Sequence, residues 1–251
     1  MKRFNIEAIV LKNVNYKDSH RIYTLLTREK GKTSAIARGV RKISSKRSGS
    51  LDTLNHVALN LSEDKLGYYS INEVKVINSF SKLKNSLDFI LAGMYFCELV
   101  DIFLDSGHEA GEIFILLKSG LTVLSKNPSK AKLVVNVFEF RLLDKLGFGL
   151  TVSSCVTCGR NFDKTWESVK VNSEYGGFIC NNCSGSGVEI QIKAGQLFYD
   201  LKFQKDLAKV FEYEEKYIKQ VDKILKLHLK HMVEANARFP KLNSFLVKSV
   251  E

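Results

Sequence analysis

Cys155-Val156-Thr157-Cys158 and Cys180-Asn181-Asn182-Cys183 are separated by 21 residues, and the rest of the chain is read outward from them. Two Cys-x-x-Cys turns at this separation suit a tetrahedral four-thiolate metal site. Each turn aims two sulfurs at one point, and the second turn closes the tetrahedron. Gly159 follows the first knuckle, where a positive φ lets backbone N–H groups turn toward the sulfurs. Between the knuckles, Val169 and Val171 alternate with Lys170 and Asn172. Tyr175-Gly176-Gly177 marks a turn and Phe178-Ile179 returns to Cys180, so a small hairpin is expected. The same cysteines could form two disulfides, but nothing in the sequence points to an oxidising compartment. Four thiolates leave no coordination position for water, and no His-x-Glu or His-Glu-x-x-His motif lies nearby. The expected occupant is a structural Zn2+ on Cys155, Cys158, Cys180 and Cys183, contributing on the order of 10 kcal/mol of local folding energy.

The segments around the cysteines have a helical period. Upstream, Leu87, Ile90, Leu91, Met94, Tyr95, Leu99, Ile102 and Phe103 form an apolar stripe ending at Ser106-Gly107. A second helix is expected over 109–124. A third opens at Asn127-Pro128, with Asn127 as cap, and stops at Gly147 and Gly149. Downstream, 191–203 and 213–236 resume helix, and Pro240 breaks the pattern before a short segment at 242–247. Residues 150–188 thus read as a zinc-ribbon-like insertion in an all-α domain spanning 81–251. Cys97 reads as a core residue. His228 and His231 read as partly exposed helix residues, and Glu98/Asp101 and Glu139/Asp144 as solvated charges. No phosphate-cradling loop, nucleophile elbow or carboxylate cluster is present, so no enzyme is expected.

Residues 1–80 have the period of strands. Ile6, Ala8 and Val10 share one face of a first strand, a face extended to Lys12, with Glu7, Ile9 and Leu11 on the other. Runs at 20–27, 32–38, 55–61 and 66–77 follow, the fourth with Val57, Leu59 and Leu61 in strict alternation. Five strands in so short a span are the inventory of a small closed barrel of the OB type, with an SH3-like barrel as the neighbouring possibility. The fold class expected is α+β and multidomain: an N-terminal OB-fold barrel at 1–80, then the helical domain with its four-cysteine insertion.

Charge is uneven along the chain. The whole carries a formal +11, and residues 1–80 hold 15 Lys and Arg against seven Asp and Glu. The N-terminal part is therefore the surface for a polyanion. Between the third and fourth strands, Arg38-Gly39-Val40-Arg41-Lys42-Ile43-Ser44-Ser45-Lys46-Arg47-Ser48-Gly49-Ser50 has five basic residues and no acid. With Lys30 and Lys32 beside it, this loop suits sequence-independent phosphate contact. Tyr16, Tyr23, Tyr68 and Tyr69 are available either to stack on bases or to fill the barrel. No apolar run approaches the roughly 20 residues that span a bilayer, and the start is not a signal peptide. A cytoplasmic, nucleoid-associated protein with no membrane partner is expected.

The chain resembles the RecO family of bacterial DNA repair and recombination-mediator proteins. The likeness rests on four features in order. They are Ala8-Ile9-Val10-Leu11 with Tyr16-Lys17-Asp18-Ser19-His20-Arg21-Ile22-Tyr23-Thr24-Leu25-Leu26-Thr27; Gly31-Lys32 leading to Ala37-Arg38-Gly39-Val40-Arg41-Lys42; Phe138 to Gly147; and the paired knuckles with Gly159. It departs where Phe148-Gly149-Leu150 replaces a proline common in the family and where Asp18 stands for the usual Glu. The resemblance implies an OB-fold, no catalytic turnover, and binding of single- and double-stranded DNA. It also implies strand annealing, recombinase loading on strands coated by single-stranded DNA-binding protein (SSB) in the RecF pathway, and RecR and the acidic SSB C-terminal tail as partners. By position it carries DNA contact to Lys32, Arg38, Arg41 and Lys42, to which charge alone adds Lys46 and Arg47. The SSB tail is expected in the helical domain, where a basic residue such as Lys118 or Arg141 borders an apolar groove. Two other readings fit the same residues: an RNA-binding or ribosome-associated barrel with a zinc module, and an adaptor that docks a protein on its helices.

Overall fold

The computed structural model describes residues 2–43, 45, 47–107 and 110–235. Lys46 and the segment 242–247 lie outside them.

Five strands come first: β1 (Lys2–Tyr16), β2 (His20–Thr27), β3 (Gly31–Ala37), β4 (His56–Glu63) and β5 (Tyr69–Asn78). They close into a barrel in the order β1-β2-β3-β5-β4, with β4 returning to β1. All neighbours are antiparallel except β3 and β5, which pair in parallel over Ala35–Tyr69 and Ile36–Ser70. The alternation read in the sequence sets the interior. Ile6, Ala8 and Val10 meet Val57, Leu59, Leu61, Leu25 and Ile71 there. Lys12 does not continue this face. The β1–β2 register shifts between Val10 and Lys12, and Lys12 turns to Asp101, so a bulge ends the alternation one residue early. Tyr23 belongs to the barrel filling rather than to any stacking surface, being wholly buried.

Three helices follow: α1 (Ser81–Lys84), α2 (Leu87–Phe103) and α3 (Gly111–Lys126). They group with the barrel by contacts, so one compact unit is Met1–Ala131 and the other begins at Lys132. α2 packs on β1 and α3 on β2. After α2, Gly107 takes φ 82° and its N–H donates to Lys32 O at 3.2 Å, which ties the end of the helix to the barrel. At the end of α3, Asn127 behaves differently from the expected cap of the next helix. Its Nδ2 donates to Val123 O at 2.9 Å, so it closes the helix behind it.

A 3-10 turn (Pro128–Lys130) leads to α4 (Ala131–Lys145). The second unit continues with β6 (Thr151–Cys155), β7 (Val169–Asn172), β8 (Gly177–Cys180) and β9 (Val188–Ile190), then α5 (Ile192–Phe203), α6 (Leu207–Val210) and α7 (Glu215–Ala235). The strands form a sheet in the order β6-β8-β7-β9. One apolar core runs from this sheet into the helices and includes Val169, Phe178, Phe198, Leu201, Val221 and Leu225. Phe162 sits in edge contact with Trp166 and Phe178, both at 5.3 Å between ring centroids, and joins the inter-knuckle segment to that core.

His228 and Glu139 correct the sequence reading: both are buried, at 3% and 1% exposure. His228 lies on the apolar stripe of α7, and its Nε2 lies 2.7 Å from Phe148 O. Burial holds its imidazole below the usual 6.5, against that hydrogen bond. No helix among the described residues is long and apolar enough to cross a membrane.

Candidate metal centre and basic barrel surface

The cysteine knuckles sit on the sheet of the second unit. Cys155 ends β6 and Cys180 ends β8. The expected hairpin is present: β7 and β8 pair antiparallel, Val169 with Cys180 and Asn172 with Gly177, across a turn in which Gly176 takes φ 74°. Gly159 follows the first knuckle with φ 75°, and its N–H donates to Cys155 O at 2.9 Å.

All four sulfurs lie within 4.8 Å of one another. Cys155 and Cys183 are 3.9 Å apart and Cys158 and Cys180 3.8 Å. Sulfurs bonded to each other would stand about 2.05 Å apart, and all five cysteines are free thiols. A tetrahedron with metal–sulfur bonds of about 2.3 Å has edges of about 3.8 Å, so the cluster has the dimensions of a four-thiolate ion site. The backbone prepares it for charge. Burial opposes ionisation of Cys155, but N–H groups of Cys180, Cys158 and Thr157 outweigh burial and bring the thiol down to about 6. Cys183 is pushed up to about 12, first by its hydrogen bonds with Cys158 and Cys180. The sulfurs cannot all carry charge side by side without a cation among them. The donor set therefore fits a metal ion. Cys97, in α2, is buried and is not one of the clustered cysteines.

The six residues expected at DNA divide sharply. Arg38, Arg41 and Lys42 are exposed on the loop after β3. Arg41 binds this loop to the β1–β2 turn: its N–H donates to Ser19 O at 3.1 Å and its guanidinium to Lys17 O at 3.3 Å. Lys17 is itself exposed there, so a fourth cation joins the surface. Arg47 is spent internally. Its guanidinium donates to Ile71 O at 2.9 Å, Asn72 O at 3.2 Å and Arg38 O at 2.7 Å, and so latches the loop to β5. Lys32 points away from solvent. Its side chain is 12% exposed, its ammonium donates to Asp101 O, and it lies 3.5 Å from Asp101 Oδ1. Lys46 lies outside the described residues.

Lys30, which the sequence placed beside the loop, belongs to another patch. It lies over Phe4 and Tyr69 at 5.0 and 5.4 Å from the ring centroids. Tyr68 is exposed next to Tyr69. Lys118, on α3, borders a groove of about 400 Å³ lined by Arg28, Phe114, Ile115, Ser119, Thr122 and Val123. Arg141 is committed to the backbone: its guanidinium donates to Leu201 O at 3.2 Å and Gln204 O at 2.8 Å.

Fold and site together define a mixed α+β protein that pairs a basic five-stranded barrel with a thiolate cluster on a helical unit. Residues 1–80 match the family model described as Recombination protein O N terminal, and residues 85–238 the one described as Recombination protein O C terminal. The DNA repair protein RecO of Clostridium novyi (strain NT) is 29% identical over 248 residues, which cover 98% of this chain and 95% of the relative. That of Heliobacterium modesticaldum (strain ATCC 51547 / Ice1) is 31% identical over 247 residues, 95% of this chain and 88% of the relative. That of Acetivibrio thermocellus is 28% identical over 94% of each chain. The chain belongs to the RecO family of DNA repair and recombination proteins.

Proposed function

We propose that this protein is a recombination mediator that binds single- and double-stranded DNA through residues 1–80, anneals complementary strands and helps load recombinase on SSB-coated DNA. The observation that carries this is the loop after β3, which holds Arg38, Arg41 and Lys42 exposed while Arg47 fixes it to the barrel. Fixed cations displace counterions from phosphates without reading sequence. We read the barrel as an OB-fold, in keeping with its five strands and its closure through β3 and β5. A mediator of this kind makes and breaks no bond. It works by holding two strands together, which raises their effective concentration and screens their repulsion.

The cation at Cys155, Cys158, Cys180 and Cys183 is read as Zn2+ with a structural role, since four thiolates complete its coordination. We take RecR and the SSB C-terminal tail as partners. The groove beside Lys118 and Arg28 is the best place for the tail, because it joins the charge of Arg28 to the apolar side chains of Phe114 and Ile115, while Lys118 is paired with Glu7. Arg141, held by two carbonyls, is left out.

The test is the salt dependence of single-strand affinity. Replacing two phosphate contacts by Arg38→Glu with Arg41→Glu should flatten the slope of log K against log salt by at least about 1.4. The double variant should remain folded, losing about 1 kcal/mol at most with the Arg41 bond to Lys17 O. An unchanged slope would remove this loop from the account, and preference for matched RNA over DNA would favour an RNA-binding role.

A further inference from the structure

Ile43 is 107% exposed, against 80% for Leu66, the next most exposed large apolar residue among the described residues. A single exposed isoleucine is ordinary on a protein surface. The way this one is held is not. Lys42 N–H donates to Gly39 O at 3.2 Å, and Ser45 N–H donates to Lys42 O at 2.9 Å, so two successive turns put Ile43 at a corner. On one side Arg41 ties the loop to Lys17 and Ser19. On the other Arg47 ties it to Ile71 and Asn72. The bracing that fixes the cations for phosphates also fixes Ile43 beside them. The loop presents a branched apolar side chain outward, directly after the cations of Arg41 and Lys42 in the chain.

We propose that Ile43 is an apolar wedge that enters between neighbouring bases of a single strand whose phosphates lie on Arg38, Arg41 and Lys42. The inference rests on the nucleic-acid reading above and deepens it. An aliphatic side chain can occupy the gap between two bases only after they unstack. That opening is easier in a single strand than in a paired duplex, so the wedge favours single strands. It also adds a part of the affinity that salt does not screen, unlike the phosphate contacts. Tyr16 ends β1 just before the adjoining turn, 39% exposed, with Lys17 Nζ 5.4 Å from its ring centroid. Its ring offers a face for a base turned out of the stack. Bases held apart in this way keep their pairing edges open to a second strand.

The experiment uses the full chain and a single-stranded oligonucleotide with 2-aminopurine as its one fluorescent base, whose emission rises on unstacking. Titration with the wild-type protein should raise the emission. Ile43→Ser should bind about tenfold more weakly, leave the salt slope unchanged and abolish the rise, while Ile43→Leu should retain it. Equal affinity and equal emission for wild type and Ile43→Ser would overturn the wedge, as would an equal loss of affinity for duplex. If Arg38→Glu with Arg41→Glu alters the salt slope in the same series while Ile43→Ser changes nothing, the wedge alone fails. If wild type binds no strand at all, the nucleic-acid reading fails and takes the wedge with it.

Discussion

Arg47 and Lys32 show how much a charge in a sequence leaves open. Both stand in or beside a basic run, yet one holds three carbonyls and the other faces Asp101. Nothing local distinguishes them from Arg38. Asp101 lies 69 positions from Lys32, and only the packing of α2 on the barrel brings the two together. Arg47→Ala should therefore lower stability by about 1–2 kcal/mol, because carbonyls lose a charged donor. Urea unfolding measures this, and an unchanged midpoint would mean that the latch is idle.

His56 makes the second point at the residue scale. It is 1% exposed on β4, its Nε2 meets Glu7, and Lys118 lies 3.2 Å from the same carboxylate oxygen. Burial, opposed by Glu7, leaves the imidazole below its usual 6.5. Burial raises Glu7, but the hydrogen bonds from Lys118 and His56 outweigh it, so its carboxyl lies below 4.5. Each group binds fewer protons folded than unfolded, so each adds stability above its usual pKa that is lost as pH falls. The barrel unit should weaken from pH 7.5 to 5.5 through His56, and further below pH 4.5 through Glu7. His56→Gln should reduce the loss between pH 7.5 and 5.5, and urea melts of the two proteins at both pH values check it. An identical loss in the variant would place the titrating group elsewhere. The sequence offered His56 only as one residue of an alternating strand. Its role comes from the face that meets α3, where Phe114 touches it at 5.8 Å between rings.

At the scale of elements, the four-cysteine segment was the most legible part. Spacing alone located the four-cysteine cluster, and alternation with a glycine turn located the hairpin, because both are short-range properties. What the sequence did not show is how closely β6 approaches β8. A Cβ on Gly177 would stand 2.4 Å from Thr151 O, so Gly177 is there for strand contact rather than for the turn. Gly177→Ala should cost about 1–3 kcal/mol and weaken metal retention, as followed by metal content after gel filtration. Cys180→Ser acts more directly. Cys180 is fully buried and its N–H donates to Cys155 Sγ at 3.4 Å. The variant should release the metal and lower the melting temperature of the second unit, and a chelator should do the same to the wild type. Retention of one equivalent of metal in Cys180→Ser would contradict the four-thiolate assignment. The five long helices of the described residues were legible from their period, while the single-turn helices α1 and α6 were not. Asn127 has the residue type of an N-cap and serves as the closing residue of α3, a choice set by which carbonyl its amide reaches.

At the scale of the whole molecule, the sequence displayed a basic N-terminal part and a less charged remainder, and the family match covers both, over residues 1–80 and 85–238. The excess of positive charge does not translate into as many free cations. Some of it, on Lys12 and Lys32, neutralises Asp101 where α2 packs on the barrel, and some braces the loop that carries the rest. What remains exposed on that loop is small and fixed: Arg38, Arg41 and Lys42, with Lys17 alongside and Ile43 next in the chain. On the proposed function, a surface of this size would give weak, exchangeable contact with a strand, which annealing needs because the strands must be released once paired.

The account is tested most directly by annealing two complementary oligonucleotides, each precoated with SSB and labelled at opposite ends of the future duplex. Substoichiometric wild-type protein should accelerate pairing, added salt should suppress the effect, and Arg38→Glu with Arg41→Glu should lose it while remaining folded. Pairing at the uncatalysed rate in the presence of protein that demonstrably binds the strands would contradict the mediator function.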